Sequence, residues 1–276
     1  MLLFEKIESL KKEISLYPKL GDVEEERIRE NFMINYTYNS NAIEGNTLTL
    51  AETAMVILEG ITIDKKPLRE HLEVVGHKDA FNYIIMLSKD IAPLSEKAIK
   101  DIHNLVLIDK PEYRGIYRKI PVLIGGASHI PPSPMQIPLL MKELLEQYRN
   151  DNRHPIEKIA DFHVRFERIH PFADGNGRSG RLILNLELIK AGYQPVDIKF
   201  TDRARYIKAL DSYDQDKNAF ISMVAEYQLQ ELESLLNILK EREAVIEHRM
   251  LAGYEKDVCK KDRERFLKKQ NSGGEE

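Results

Sequence analysis

The chain has 276 residues and a formal net charge of −4, with 31% of residues charged and 42% apolar. That balance belongs to a globular protein, and its mild acidity gives no general reason to expect nucleic acid as a partner. No apolar run approaches the roughly 18 residues that cross a bilayer, so no membrane association is expected. Met1-Leu2-Leu3-Phe4-Glu5-Lys6 turns charged too early for a secretory signal. Cys259 is the only cysteine, which excludes an internal disulfide and points to a reducing, cytoplasmic compartment.

In chain order, residues 3–16 predict an amphipathic helix closed by Pro18 and Gly21. A second helix is expected from about Val23 to Glu44, with Ile28, Phe32 and Tyr36 on one face and Gly45 as its stop. Thr49-Leu50-Ala51-Glu52 is a capping box opening a third helix that ends near Gly60. Residues 67–88 and 95–107 read as helices again. Gly115 to Ile130, turning at Gly125-Gly126 and followed by Pro131-Pro132, predicts a small β-hairpin. Such a hairpin is either a connector or an edge that offers backbone groups to a peptide. Ser133 and Pro134 then cap and open the next helix.

Ile159, Phe162, Phe166 and Ile169 recur at helical spacing, and Pro171 ends that helix at His170. Leu182, Ile183, Leu184, Leu186, Leu188 and Ile189 are apolar on several faces, as in a helix buried in the core. Gly192 and Pro195 break the chain before a segment, Thr201 to Leu210, that holds Arg203, Arg205 and Tyr206. Residues 217–250 form one or two helices whose seam of Leu229, Leu232, Leu236 and Leu239 does not continue as heptads, so it packs on the body. From about Lys256 the charge-rich chain is expected to fray or be disordered through Asn271 to Glu276.

The chemistry concentrates between the two helices, in His170-Pro171-Phe172-Ala173-Asp174-Gly175-Asn176-Gly177-Arg178-Ser179-Gly180-Arg181. Gly175 and Gly177 permit a tight turn with N–H groups close to a ligand, and the next helix adds its free N–H groups and dipole. Arg178 and Arg181 share one side of the first turn, where cations are unfavourable unless an anion sits between them. Polyphosphate fits. Asp174 is a hard oxygen ligand suited to Mg²⁺, and His170 is a candidate general base. Asp-Gly-Asn-Gly alone is an ordinary turn; base, metal ligand, anion nest and paired Arg within twelve residues are not. His163, seven residues before His170, is about 10 Å away along the helix and reads as a packing residue. His71, His77, His103, His129, His154 and His248 show no ligand spacing and read as surface or structural groups, with His129 also a candidate for target contact.

The string resembles the signature of the Fic family, H-x-F-x-[D/E]-G-N-G-R-x-x-R, at every specified position. The resemblance implies a mainly helical, all-α Fic fold with a small β-hairpin flap, spanning roughly residues 65–225. Residues 1–64 would then be an N-terminal helical region, and 226–276 a helical extension with a charged tail. It implies transfer of AMP from ATP, with Mg²⁺, onto a Tyr, Ser or Thr hydroxyl of a target protein, which can be the chain itself. His170 would deprotonate that hydroxyl, Phe172 would anchor the loop and Asp174 would hold the metal. Gly175 and Gly177 would form the nest, Asn176 would orient the α-phosphate, and Arg178 and Arg181 would bind the outer phosphates. Tyr206 would approach the nucleotide base, and Val122, Leu123 and Ile124 in the flap would dock the target. Gly177 replaces the Lys of the related Doc kinases and favours nucleotidyl over phosphate transfer.

Ser40-Asn41-Ala42-Ile43-Glu44-Gly45 resembles the family's inhibitory motif, [S/T]-x-x-x-E-[G/N]. It implies that Glu44 pairs with Arg181 and blocks the γ-phosphate. Two alternatives stand beside a self-inhibited transferase: a de-AMPylase in which Glu44 activates water, and a permanently closed nucleotide-binding module. Relatives often dimerise, so a homodimer is admitted, and the lack of a winged-helix module after the core weighs against a DNA role.

Overall fold

The computed structural model describes residues 2–125 and 128–271, with side chains described between residues 3 and 245. Its α-helices are α1 (Leu2–Ile14), α2 (Asp22–Ile43), α3 (Leu50–Glu59), α4 (Leu68–Leu87), α5 (Glu96–Val106), α6 (Ile137–Asn150), α7 (Pro155–Ile169), α8 (Asn176–Lys190), α9 (Arg203–Asp211) and α10 (Asn218–Asn271). None of the described helices is long and apolar enough to cross a membrane. The ends follow local chemistry. Thr49 Oγ1 accepts from the Glu52 N–H and Glu52 returns the bond to Thr49, while Gly60 leaves α3 at φ +66°. Pro171 disfavours right-handed helical geometry at His170, and His170 ends α7 in the left-handed region, φ 48° and ψ 61°.

The chain divides into two units. The first comprises residues 1–7 and 19–231, and α8 is its hub, packed against α2, α4, α5 and α7. Leu182, Ile183, Leu184, Leu186 and Leu188 are all buried, as expected for a helix apolar on several sides. The second comprises residues 8–18 and 232–276. Within it Lys240 pairs with Glu13 at 3.0 Å, and Leu232, Leu236 and Leu239 are buried.

Three expectations change. Among the described residues there is no strand, so the segment from Gly115 to Ile130 is not a hairpin; Gly126 of its expected turn lies outside the described residues. Pro121, Pro131 and Pro132 cannot donate to a ladder, and side chains take up the backbone instead. Arg118 donates to the carbonyls of His170 (2.8 Å), Ile120 (3.1 Å) and Pro132 (2.7 Å), while the Asp211 carboxylate accepts from Ser128 N–H at 2.7 Å. Second, α10 is a single helix that continues to Asn271, past Lys256 where fraying was expected. Between Asn218 and Asn271 no proline interrupts it, and its Lys, Glu and Arg are good helix formers. The side chains of His248 and Cys259 and the last five residues lie outside the description. Third, His71, His77 and His103 are buried and hydrogen-bonded, so for these three the structural reading holds and the surface one does not.

The crossing of α4 and α5 depends on Gly76, where a Cβ would stand 2.5 Å from the Leu105 carbonyl oxygen. Gly→Ala inside a helix ordinarily gains up to ~1 kcal/mol, but overpacking against backbone costs about 1–3 kcal/mol. Gly76→Ala is therefore expected to lower the thermal unfolding midpoint; a raised midpoint would show that the helices part freely.

Candidate functional site

The loop from His170 to Gly175 is tied down from within. Phe172 is fully buried and stacks on the His103 ring with centroids 3.7 Å apart. The Asn176 side chain accepts from the Phe172 N–H and donates to the Phe172 carbonyl, both at 2.9 Å. His103 bridges the loop to the next segment, accepting from Gly115 N–H at Nδ1 and donating to the Asp174 carbonyl at Nε2, each at 2.9 Å. Burial pushes the His103 pKa down to about 4, so these bonds are made by a neutral ring.

At the loop's exit the first turn of α8 presents N–H groups without intrahelical partners. Arg178 is buried beside them, and its Nε and Nη1 have no hydrogen-bond partner. Its nearest carboxylates, Asp174 and Glu73, stand at 3.7 and 3.8 Å. Asp174 is half exposed at the rim, where Lys110 pairs with its Oδ2. Burial works against that carboxylate, but Lys110 and Arg178 outweigh it and hold its pKa below the ordinary value.

Arg181 is 1% exposed. Its Nε donates to Ser40 Oγ at 3.0 Å, and its Nη2 donates to the Ser40 carbonyl at 2.8 Å and to Glu44 Oε1 at 2.9 Å. The guanidinium also lies 5.6 Å from the Tyr206 ring centroid. Burial opposes its charge, but Glu44 together with the Tyr206 and Tyr36 phenols more than offsets this and the pKa rises. Glu44 reaches it because α2 stops at Ile43 and Gly45 turns away at φ +98°. Arg203 secures that end by donating to the Ile43 carbonyl at 2.7 Å.

Glu44 and Arg203 open onto a cleft of about 240 Å³ that Glu167, His170, Gly177 and Tyr206 also line, together with Leu123, Ile124 and His129. His170 Nδ1 lies 3.2 Å from the Glu167 carbonyl, and burial lowers its pKa. With the proton on Nδ1 the ring is neutral and Nε2 keeps a lone pair, the form a general base needs.

Of the residues singled out from the sequence, Glu44, Leu123, Ile124, His170, Gly177 and Tyr206 line the cleft. Ser40 and Arg181 join it through Glu44, and Asp174, Gly175, Asn176 and Arg178 do not line it. Val122 does not line the cleft, while Leu123 is 83% exposed at its mouth. Asn176 has a role the sequence did not show, since both ends of its amide are committed to Phe172. The Tyr206 hydroxyl bonds inward to His163 Nε2 at 2.9 Å, leaving its ring in the wall. Sequence reasoning missed Lys110, Arg118, Arg203 and the buried Glu167. Only Glu167 had a local signal, lying four residues after His163 and three before His170 on one face of α7.

The Fic/DOC family profile matches residues 93–188. Over the whole fold, the solved structure of Fic-1 from C. elegans superposes with a TM-score of 0.77 at 30% identity, covering 87% of this chain and 72% of that one. The chain belongs to the Fic family. A Fic domain containing signaling protein from Bacteroides thetaiotaomicron superposes with a TM-score of 0.80 at 27% identity, covering 86% of this chain and 97% of that one. The protein adenylyltransferase Fic of Drosophila grimshawi is 34% identical over 206 residues, 72% of this chain and 42% of that protein. Its counterpart in Drosophila melanogaster matches equally, with 41% of its length covered. The chain thus spans about two fifths of the length of these curated relatives. The Fic loop and its two arginines fall at the junction of α7 and α8, within the matched span.

Asn176→Ala leaves the buried Phe172 N–H and carbonyl without partners, at a cost of about 1–3 kcal/mol for such a group. Denaturant unfolding is expected to report a loss of about 2 kcal/mol, and an unchanged midpoint would mean that the loop is held elsewhere.

Proposed function

We propose that this Fic protein transfers AMP from ATP to a side-chain hydroxyl of a target protein, and that Glu44 holds the activity in check. The observation that carries this is the single buried network joining Arg181, Ser40 and Glu44 beside His170. Arg178, Arg181 and the free N–H groups of α8 provide for the outer phosphates. His170 Nε2 takes the hydroxyl proton as the hydroxyl oxygen bonds to the α-phosphorus and pyrophosphate leaves with the electrons of the broken P–O bond. Leu123 and Ile124 at the mouth form the surface on which the target segment docks.

Asp174 suits Mg²⁺. Its carboxylate already accepts a cation, the Lys110 ammonium, beside the nest. Among the described residues no three His, Cys, Asp or Glu side chains gather to hold a metal, so the remaining ligands would be phosphate oxygens and water. When bound, the ion neutralises phosphate charge.

Glu44 is 40% exposed on the side chain and shares the cleft with His170, which keeps a second reading in play: hydrolytic release of AMP with Glu44 as the base. Wild type, Glu44→Gly and the double variant Glu44→Gly/His170→Ala separate the readings. With Mg²⁺ and α-labelled ATP, label on protein is expected to rise in Glu44→Gly and to fall by about 10²–10⁴ on adding His170→Ala. Equal labelling in wild type and Glu44→Gly would remove the inhibitory role. Label from the γ-position would make the reaction phosphate transfer. Loss of AMP release from a pre-modified target in Glu44→Gly would favour the hydrolytic reading.

A further inference from the structure

Gly177 and Gly180, three residues apart, form adjacent notches on one side of α8. Each is filled by a carboxyl group from another helix. A Cβ at Gly177 would stand 2.1 Å from Glu44 Oε1, and one at Gly180 would stand 2.3 Å from Glu167 Oε1. Arg181 follows the second notch and is under the electrostatic influence of both. Only Glu44 is bonded to it. Oε1 of the buried Glu167 has no partner, and neither has Arg181 Nη1.

An ionised carboxylate buried beside an arginine would ordinarily hold that arginine for itself. Glu167 does not: its Oε1 is unpartnered while Arg181 gives Nη2 to Glu44, and burial, with the Glu44 charge adding to it, pushes the Glu167 pKa up to about 8, in keeping with a neutral acid. The titratable and charged groups around it are Glu44 just beyond α2, Arg181 from α8, Arg203 and Tyr206 from α9, and His163, Arg168 and His170 on its own side. His163 is pushed down to about 3 and His170 is lowered, while Tyr206 is raised far out of range. None of the rings changes charge between about pH 7.5 and about pH 9, because each pKa lies outside that interval.

We propose that Glu167 positions Arg181: seated in the Gly180 notch as a neutral acid, it leaves the arginine's charge to whichever anion occupies the Gly177 notch, and once ionised it competes for that charge. The proposal rests on the reading above, in which Glu44 occupies the place of the γ-phosphate. It makes triphosphate binding a proton-linked event. Removing Glu44 lowers the Glu167 pKa in the free protein, and a bound triphosphate restores the negative neighbour. Between the free-protein value and the higher triphosphate-bound value, affinity then falls by up to about tenfold per pH unit, the limit for one proton taken up.

The test is the dissociation constant of Mg–ATP, and of AMP as a control that does not reach Arg181, measured by calorimetry from about pH 7.5 to about pH 9, where the terminal phosphate is already ionised. Glu44→Gly is expected to lose ATP affinity as pH rises while AMP affinity stays level. Glu44→Gly/Glu167→Gln should show a level ATP affinity, and AMP binding by that variant verifies its fold. A pH slope for ATP that persists with Glu167→Gln, or that is missing from Glu44→Gly, overturns the proposal and leaves the transferase reading standing. Absence of ATP binding by Glu44→Gly at every pH overturns both.

Discussion

A guanidinium withdrawn from water costs several kcal/mol unless its donors and its charge are answered locally. Arg181 meets most of that condition at the core of the first unit, through Nε and Nη2 with Nη1 left unpartnered, and much of the surrounding sequence follows from how it is met. The Ser40 hydroxyl and carbonyl take two of its donors, which brings the last turn of α2 against α8. Glu44 supplies the countercharge from a position just beyond the helix end, which requires α2 to stop and Gly45 to turn. At Gly177 and Gly180 carboxyl oxygens occupy the places that Cβ atoms would take, so a side chain at either position would push Glu44 or Glu167 out of its present seat. Removing one constraint frees the others, so the Glu44–Arg181 pairing and core packing share the same few residues.

The loop from His170 to Gly175 shows a second economy. His170 sits in the left-handed region without being glycine, a conformation that costs roughly 1–2 kcal/mol for an ordinary residue. Pro171, the stack of Phe172 on His103 and the two-ended clamp of Asn176 hold it there. The ring is thereby fixed at the cleft before any nucleotide arrives, with Nδ1 engaged by the Glu167 carbonyl. Preorganisation of this kind lowers the reorganisation needed when charge develops in the transition state.

Arg178 and Arg181 are unequal despite their pairing in sequence. Arg181 has a carboxylate at hydrogen-bond distance, whereas the nearest carboxylates to Arg178 stand off at 3.7 and 3.8 Å and two of its nitrogens are unpartnered. An incoming polyphosphate would find one site open and the other contested, which is how an internal carboxylate can oppose the productive pose without closing the nest entirely.

The sequence alone determined the helical class, the turn at His170-Pro171, the capping of α3, and the chemistry of residues 170–181, because each depends on neighbours a few positions away. It also supplied the candidate pairing of Glu44 with Arg181, through two short motifs. The tertiary structure decided what depends on burial and distant partners. It replaced the expected hairpin with a loop held by Arg118 and Asp211, since proline-rich limbs leave no ladder to form. It showed the Asn176 amide clamping the loop at both ends of Phe172, and it assigned Lys110 to Asp174 across 64 residues. It also buried Glu167 in the Gly180 notch. No local pattern reveals that a carboxyl group has lost its water, because desolvation is a property of the packed surroundings rather than of the residue.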